Sequence, residues 1–384
     1  MNGLRDPAML ILGDLVGFPT MTSEPNLDLI EYAADLLRPY ASDLRLTHDE
    51  DGQKANLLAT IGPLIDGGVL LSGHTDVVPA DEADWTGAPF VAMRREQRIY
   101  GRGTADMKGF IACALAMAPT FAERDLDRPV QIALTFDEEV GCRGAPALID
   151  DLLSKGPKPA AAIVGEPTGM AIVTAHKGCY EYTTFITGVE GHGSQPDLGM
   201  NAVHMGASFI GRLMELSQEL KGRAPSTSPY DPPHTTISAG TIQGGSARNV
   251  LAGDCVIEWE MRPVNRSDAE FVLAEIAAFE DETRAAMGPD TALITVREGE
   301  VDGLEDDPSS AAIALMRDLL GKENTGVVPF GTEAGLYQMA GIPAVVCGPG
   351  SIEVAHQPDE HVGLDQLEAC LDMMGKLAAK LAGT

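Results

Sequence analysis

A two-part α/β protein, with a mostly parallel sheet interrupted by a smaller inserted domain, is what the sequence predicts, and three observations carry that reading. Between residues 57 and 166 short apolar runs alternate with helical patterns. From about residue 178 the order changes to strand, helix, two strands, helix, strand. After about residue 300 the first pattern returns. Strands that alternate with helices and read as continuous apolar runs belong to parallel sheets covered on both faces.

Taken in order, LLATI, VLLSG, VQIALTF and AAIVG are the buried strands of the first pattern, and MKGFIACALAMA and APALIDDLL are helices between them. YEYTTFITGV opens the insert as a strand. NAVHMGASFIGRLMELSQEL follows as a helix, TTISAGTI and CVIEWEM as strands, SDAEFVLAEIAAFEDETRAAM as a helix and ALITV as a strand. This βαββαβ order is that of a ferredoxin-like unit. Ser267 and Glu270 have the spacing of a capping box at the start of its second helix. SSAAIALMRDLLG and PAVVCG resume the larger domain, which spans 1–176 and 301–384, with 177–300 as the insert.

Length and composition bound the function. A chain of 384 residues with 44% hydrophobic content can bury a full core. Its 27 basic and 57 acidic residues give a formal net charge of -30, which argues against nucleic acid and anionic membrane surfaces as partners. The six cysteines form no C-x-x-C pair, so neither a disulfide framework nor a thiolate metal site is expected, and reduced thiols suit a cytoplasmic protein. The apolar stretch near the N-terminus is short and is broken by Gly13 and Asp14, unlike a signal peptide or a membrane span.

Ligands in open α/β sheets bind beyond the carboxyl ends of the strands. VLLSG runs into His74 and Asp76, QIALTF into Asp137, Glu138 and Glu139, AAIVG into Glu166, and PAVVCGPG into the loop that carries His356. Asp106 in GRGTADMKG precedes a helix. Three adjacent acids repel one another unless a positive charge sits among them. A donor set of imidazole and carboxylate suits Zn²⁺, Co²⁺ or Mn²⁺, and its size exceeds what one tetrahedral zinc needs, so a pair of metals sharing a carboxylate fits it. Asp76, two residues beyond His74, is placed to fix that imidazole's tautomer. One of Glu138 and Glu139 is then left for a task other than ligation.

The motifs SGHTDVVP, GRGTADMKG, DEEVG, GEPT, GHGSQP, GGSARNV and CGPGSIEVAHQPDEHV, in that order, closely resemble those of the M20 family of dinuclear zinc amidohydrolases, and its acetylornithine deacetylases in particular. The resemblance runs from about residue 10 to the C-terminus. It implies a zinc-hydrolase catalytic domain, an inserted lid and dimerisation domain, a homodimer, and two Zn²⁺ per subunit that Co²⁺ could replace. Carried over, it makes His74 and Glu166 ligands of one zinc, Glu139 and His356 ligands of the other, and Asp106 the bridge. Glu138 becomes the general base for a metal-bridged water, with Asp76 at its side.

His192 in GHGSQP reads on its own as a turn histidine; the resemblance makes it an oxyanion stabiliser in a neighbouring subunit's site. Arg248 and Asn249 in GGSARNV become substrate contacts, and the planar fork of Arg248 suits an α-carboxylate. Thr332 and Glu333 open a predicted helix, where Glu333 is either an N-terminal helix acid or the partner of a substrate ammonium group. Cys142 reads as a small buried residue. The implied reaction is hydrolysis of the amide of a small N-acyl amino acid, namely N2-acetyl-L-ornithine to L-ornithine and acetate in arginine biosynthesis. Desuccinylase, acetylcitrulline deacetylase, aminoacylase and dipeptidase activities share the metal motifs, and a non-catalytic metal-binding scaffold has no use for Glu138. A serine hydrolase lacks its G-x-S-x-G elbow here.

Overall fold

The computed structural model describes every residue except Met1, Met287, Pro289 and Thr384. The chain divides into two compact units, one of residues 1–175, 304–326 and 332–384, the other of 176–303 and 327–331. The first unit is built on an eight-stranded mixed sheet. Its centre is parallel: Val130–Thr135 pairs with Val69–His74, which pairs with Ala161–Pro167, which pairs with Ala344–Gly348. Antiparallel strands flank it, Ala55–Ile61 and then Asp43–His48 on one side and Ile172–His176 on the other.

Every residue of Ala55–Ile61, Val69–His74, Val130–Thr135 and Ala161–Pro167 is buried, which explains why these strands read as unbroken apolar runs and not as alternating ones. The helix Lys108–Ala122 is apolar almost all round because it lies inside the unit, packed against Asn2–Val16 and Leu364–Leu381. Gly165 matters to that packing. A Cβ there would run into the ring of Phe110, so the absence of a side chain lets the helix approach the strand one residue before Glu166. The parallel register sets His74 opposite Thr135 and Ser72 opposite Val164, so the residues that follow these strands emerge along one edge.

The second unit contains an antiparallel four-stranded sheet in the order Thr236–Gly244, Asp254–Arg262, Cys179–Thr187, Ala292–Val301. With the helices Ala202–Arg223 and Arg266–Ala286 this is the βαββαβ arrangement that the sequence predicts. Asp254–Arg262 buries alternate residues, as expected where only one face of a sheet is covered. Trp259 stacks on Tyr182 at 4.6 Å between ring centroids, and Phe209 meets its edge. One local expectation is corrected: the helix Arg266–Ala286 is not capped by Ser267. Asn265 accepts the N–H of Asp268 at 2.9 Å and the Ser267 hydroxyl at 2.7 Å, so the cap lies two residues earlier and Ser267 falls inside the first turn.

No helix among the described residues is long and apolar enough to cross a membrane. Five of the six cysteines, all but Cys179, are buried.

Candidate metal centre

The strand ends of the first unit bring His74, Asp76, Asp106, Glu138, Glu139, Glu166 and His356 together. Asp106 lies at the middle. Its Oδ1 is 3.1 Å from Nε2 of His74, and its Oδ2 is 3.2 Å from Nε2 of His356. Glu166 Oε1 is 3.8 Å from the same His74 nitrogen, and Glu139 Oε1 is 3.1 Å from the same His356 nitrogen. Two groups of donor atoms close enough to hold an ion recur, His74 with Asp106 and Glu139, and His74 with Glu138 and Glu166.

The three acids of DEEVG separate by direction. Asp137 turns back to pair with Lys54, a partner with no signal in the sequence because it lies just before a different strand, Ala55–Ile61, far away along the chain. Glu138 and Glu139 turn towards the centre, and their backbone N–H groups each donate to Asp76, to Oδ1 and Oδ2 respectively, at 3.1 Å. The expected role of the Asp76 carboxylate is therefore corrected. The acceptor closest to His74 Nδ1 is the Asp76 backbone carbonyl at 2.9 Å, while its carboxylate stands 3.6 Å away and gathers the two amides instead. The imidazole's orientation is still fixed, with Nδ1–H donating and Nε2 turned inward. Asp137 and His356 have positive φ angles of 56° and 61°, a backbone state that side chains rarely adopt and that clusters at functional sites.

Charge decides what this cluster needs. Asp76, Asp106, Glu166 and Glu333 are almost wholly buried, and Glu138 and Glu139 are largely so, against the imidazoles of His74 and His356. Burial pushes the carboxyls of Glu138 and Glu166 well up, and neighbouring carboxylates push them further. His356 is raised to about 10 by its bonds to Asp106 and Glu139, and His74 is raised by Asp106 and Glu166 despite burial, which opposes it. Protons on the imidazoles are the only positive charge that the cluster itself can supply. Divalent cations satisfy it better, since neutral imidazoles and ionised carboxylates are their natural donors and binding releases those protons. Oε1 of Glu166 is buried without a hydrogen-bond partner, as a ligand oxygen would be before its ion arrives.

Thr332 accepts the N–H of Ala334 at the start of the short helix Ala334–Met339. Glu333 does not face solvent as a helix-terminal acid would. It is 1% exposed, with Ser72 Oγ 3.4 Å from its Oε2, and its Oε1 has no partner. Cys142 is buried with Sγ 3.6 Å from Glu138 Oε1.

In the second unit, the short strand Gly191–His192 pairs with Val250–Leu251, which brings His192 beside the loop of Arg248 and Asn249. Gly193 N–H donates to the Asn249 carbonyl at 2.8 Å. Nδ1 of His192 accepts the Ser194 N–H at 3.2 Å, which leaves Nε2 to carry the proton and to donate. His192, Arg248 and Asn249 are exposed on this unit.

Residues 70–380 match the profile of Peptidase family M20/M25/M40. The chain belongs to that family. It is 35% identical over 360 residues to the acetylornithine deacetylase of Proteus mirabilis (strain HI4320), covering 93% of this chain and 90% of that one. It is 35% identical over 380 residues to the acetylornithine deacetylase of Myxococcus xanthus, covering 97% of each. Among solved structures, a dinuclear metal-binding peptidase of the M20 family from Bacillus subtilis superposes with a TM-score of 0.66 at 15% identity, over 100% of this chain and 99% of that one. As a member of the M20/M25/M40 family the chain is a metal-dependent amidohydrolase.

Glu333 gives a test of the charge argument. Burial, the largest cause, pushes its carboxyl up from 4.5 to about 7. A group raised in the folded state stabilises most below its unfolded pKa, and that contribution is lost as pH rises from 4.5 through 7. Metal-free Glu333→Gln should therefore exceed the parent in stability by about 3 kcal/mol at pH 8 and lose that advantage near pH 4. Urea unfolding of both proteins across this range checks it, and a difference that does not change with pH contradicts it.

Proposed function

We propose that the chain removes the acyl group of an N-acyl amino acid, namely N2-acetyl-L-ornithine, giving L-ornithine and acetate as a step of arginine biosynthesis in the cytoplasm. The observation that supports the chemistry best is Asp106 with one carboxylate oxygen towards each of two imidazoles. Similarity to acetylornithine deacetylases over nearly the whole chain supports the substrate.

In this reading His74 and Glu166 would hold one Zn²⁺, Glu139 and His356 would hold a second, and Asp106 would serve both; the donor set would also suit Co²⁺. Bound there, the ions would acidify a water and polarise the scissile carbonyl. Glu138 is the base. Its carboxylate takes the proton of the attacking water and delivers it to the amine nitrogen as the C–N bond breaks. Burial and nearby carboxylates raise its proton affinity, which suits a group that must accept a proton and then release it. Asp76 holds the Glu138 and Glu139 amides and so keeps base and ligand from exchanging places.

His192 would donate Nε2–H to the developing oxyanion, acting across a homodimer formed through the second unit. Arg248 and Asn249 would take the α-carboxylate of the substrate, and Thr332 orders the turn from which Glu333 meets the substrate's side-chain ammonium. The unpartnered Oε1 of Glu333 supports that last assignment.

Zinc-loaded protein assayed on acetylornithine, acetylcitrulline, succinyl-diaminopimelate and acetylmethionine should give acetylornithine the highest kcat/KM. If it trails the others by more than about tenfold, the substrate is wrong and the hydrolase class stands. Glu138→Gln should keep its metals and lose kcat by about 10²–10⁴-fold, and Glu333→Gln should raise KM for acetylornithine and leave acetylmethionine unaffected. Exchange of subunits between Glu138→Ala and His192→Ala should restore about a quarter of the parent activity, since half of randomly paired dimers are mixed and each holds one complete site. No recovery after exchange is verified by mass spectrometry would place His192 outside the partner's site.

A further inference from the structure

Glu360 has no part in the chemistry described so far, and its surroundings are unusual. It lies four residues beyond His356 in the same loop, and its side chain is 0% exposed. Burying a carboxylate costs several kcal/mol unless its oxygens are fully satisfied. Those of Glu360 are. Oε1 accepts the backbone N–H of Ala105 at 2.8 Å and of Asp106 at 3.1 Å. Oε2 accepts the backbone N–H of Gly103 at 3.0 Å and Nη1–H of Arg102 at 2.8 Å.

One charged partner and three amides therefore converge on one carboxylate, and all four come from the GRGTAD loop that presents Asp106. The Glu360 backbone adds to this, its carbonyl accepting Gly101 N–H at 3.0 Å. Directly beyond, His361 pairs with Tyr100 in an antiparallel register. A ring of N–H groups closed on an anion restrains the path of the loop, and Gly103 contributes to it with a positive φ of 83°, which glycine adopts readily.

We propose that Glu360 is a positioning residue that aims the Asp106 carboxylate between His74 and His356. The loop that supplies one imidazole thereby also sets the carboxylate to which that imidazole must be matched. A Phe, Leu or Met at this place could fill the volume but would leave three buried N–H groups without acceptors. A Gln fails differently. Its amide has one oxygen to accept with, and its NH₂ must confront either the Ala105 and Asp106 pair or the Gly103 and Arg102 pair.

The inference rests on the two-metal reading above, and its test separates the two. Zn²⁺ affinity of parent and Glu360→Gln proteins is measured by competition with a chromophoric chelator, with kcat and KM determined at saturating metal. Affinity is expected to fall by about 10–100-fold, a cost usual for groups that orient ligands, with kcat lowered and KM within about twofold. A purely structural role would reduce only the folded fraction. Parent-like affinity and kcat per folded molecule overturn the proposal.

If the variant does not fold, hydrogen exchange on the metal-free parent decides. The amides of Gly103, Ala105 and Asp106 should be protected before metal is added, and free exchange there overturns the proposal. Fewer than two ions per parent chain would count against the two-metal reading alone, because the comparison with the variant is made on affinity per ion bound.

Discussion

Asp106 stands between two imidazoles with an oxygen towards each, and most of what is unusual in the first unit serves to keep it there. A single carboxylate can do this only if its backbone is held from behind and its neighbours are held from the side. The parallel sheet provides the side. His74 and Glu166 are fixed by strands in register, and the Gly165–Phe110 contact settles how closely the covering helix approaches. Loops provide the rest, stitched by Asp76 on one flank and by Glu360 behind.

This arrangement concentrates like charge where solvent cannot screen it. The protein answers in two ways. Asp137, which has no place at the centre, is neutralised by Lys54, and Glu360 is neutralised by amides and Arg102. The carboxylates at the centre take imidazoles as their ion-pair partners, and those imidazoles are driven towards the charged form in the absence of a cation. A cluster that is unfavourable when empty is what a metal-dependent hydrolase of this family needs, because the binding free energy of the ions then stabilises the fold and the site together.

Much of this was legible in the sequence because strand ends are legible. His74, the Glu138–Glu139 pair and Glu166 each follow an unbroken apolar run, and a parallel sheet places such ends on one edge. The ordering of the second unit was legible for the same reason, from alternation and helical period. Interactions that bypass strand ends were not. Glu360 is one acid in an acidic chain, and nothing in HQPDEHV distinguishes it from a solvated loop charge. Asp76 carries a backbone carbonyl that does what its side chain was expected to do, a difference of under 1 Å that spacing does not encode. Glu333 sits at a helix start as expected but points inward, because Ser72 and Tyr337 make a buried polar contact beside it.

In the site proposed above, two metal ions flank the Asp106 carboxylate. Anomalous diffraction from crystals grown with Zn²⁺, recorded on both sides of the zinc absorption edge, tests it most directly. Two peaks about 3.5–4 Å apart on either side of the Asp106 carboxylate are predicted, one beside His74 and Glu166 and the other beside His356 and Glu139. A single peak at full metal occupancy, or peaks that leave Asp106 without a metal contact, would contradict the account.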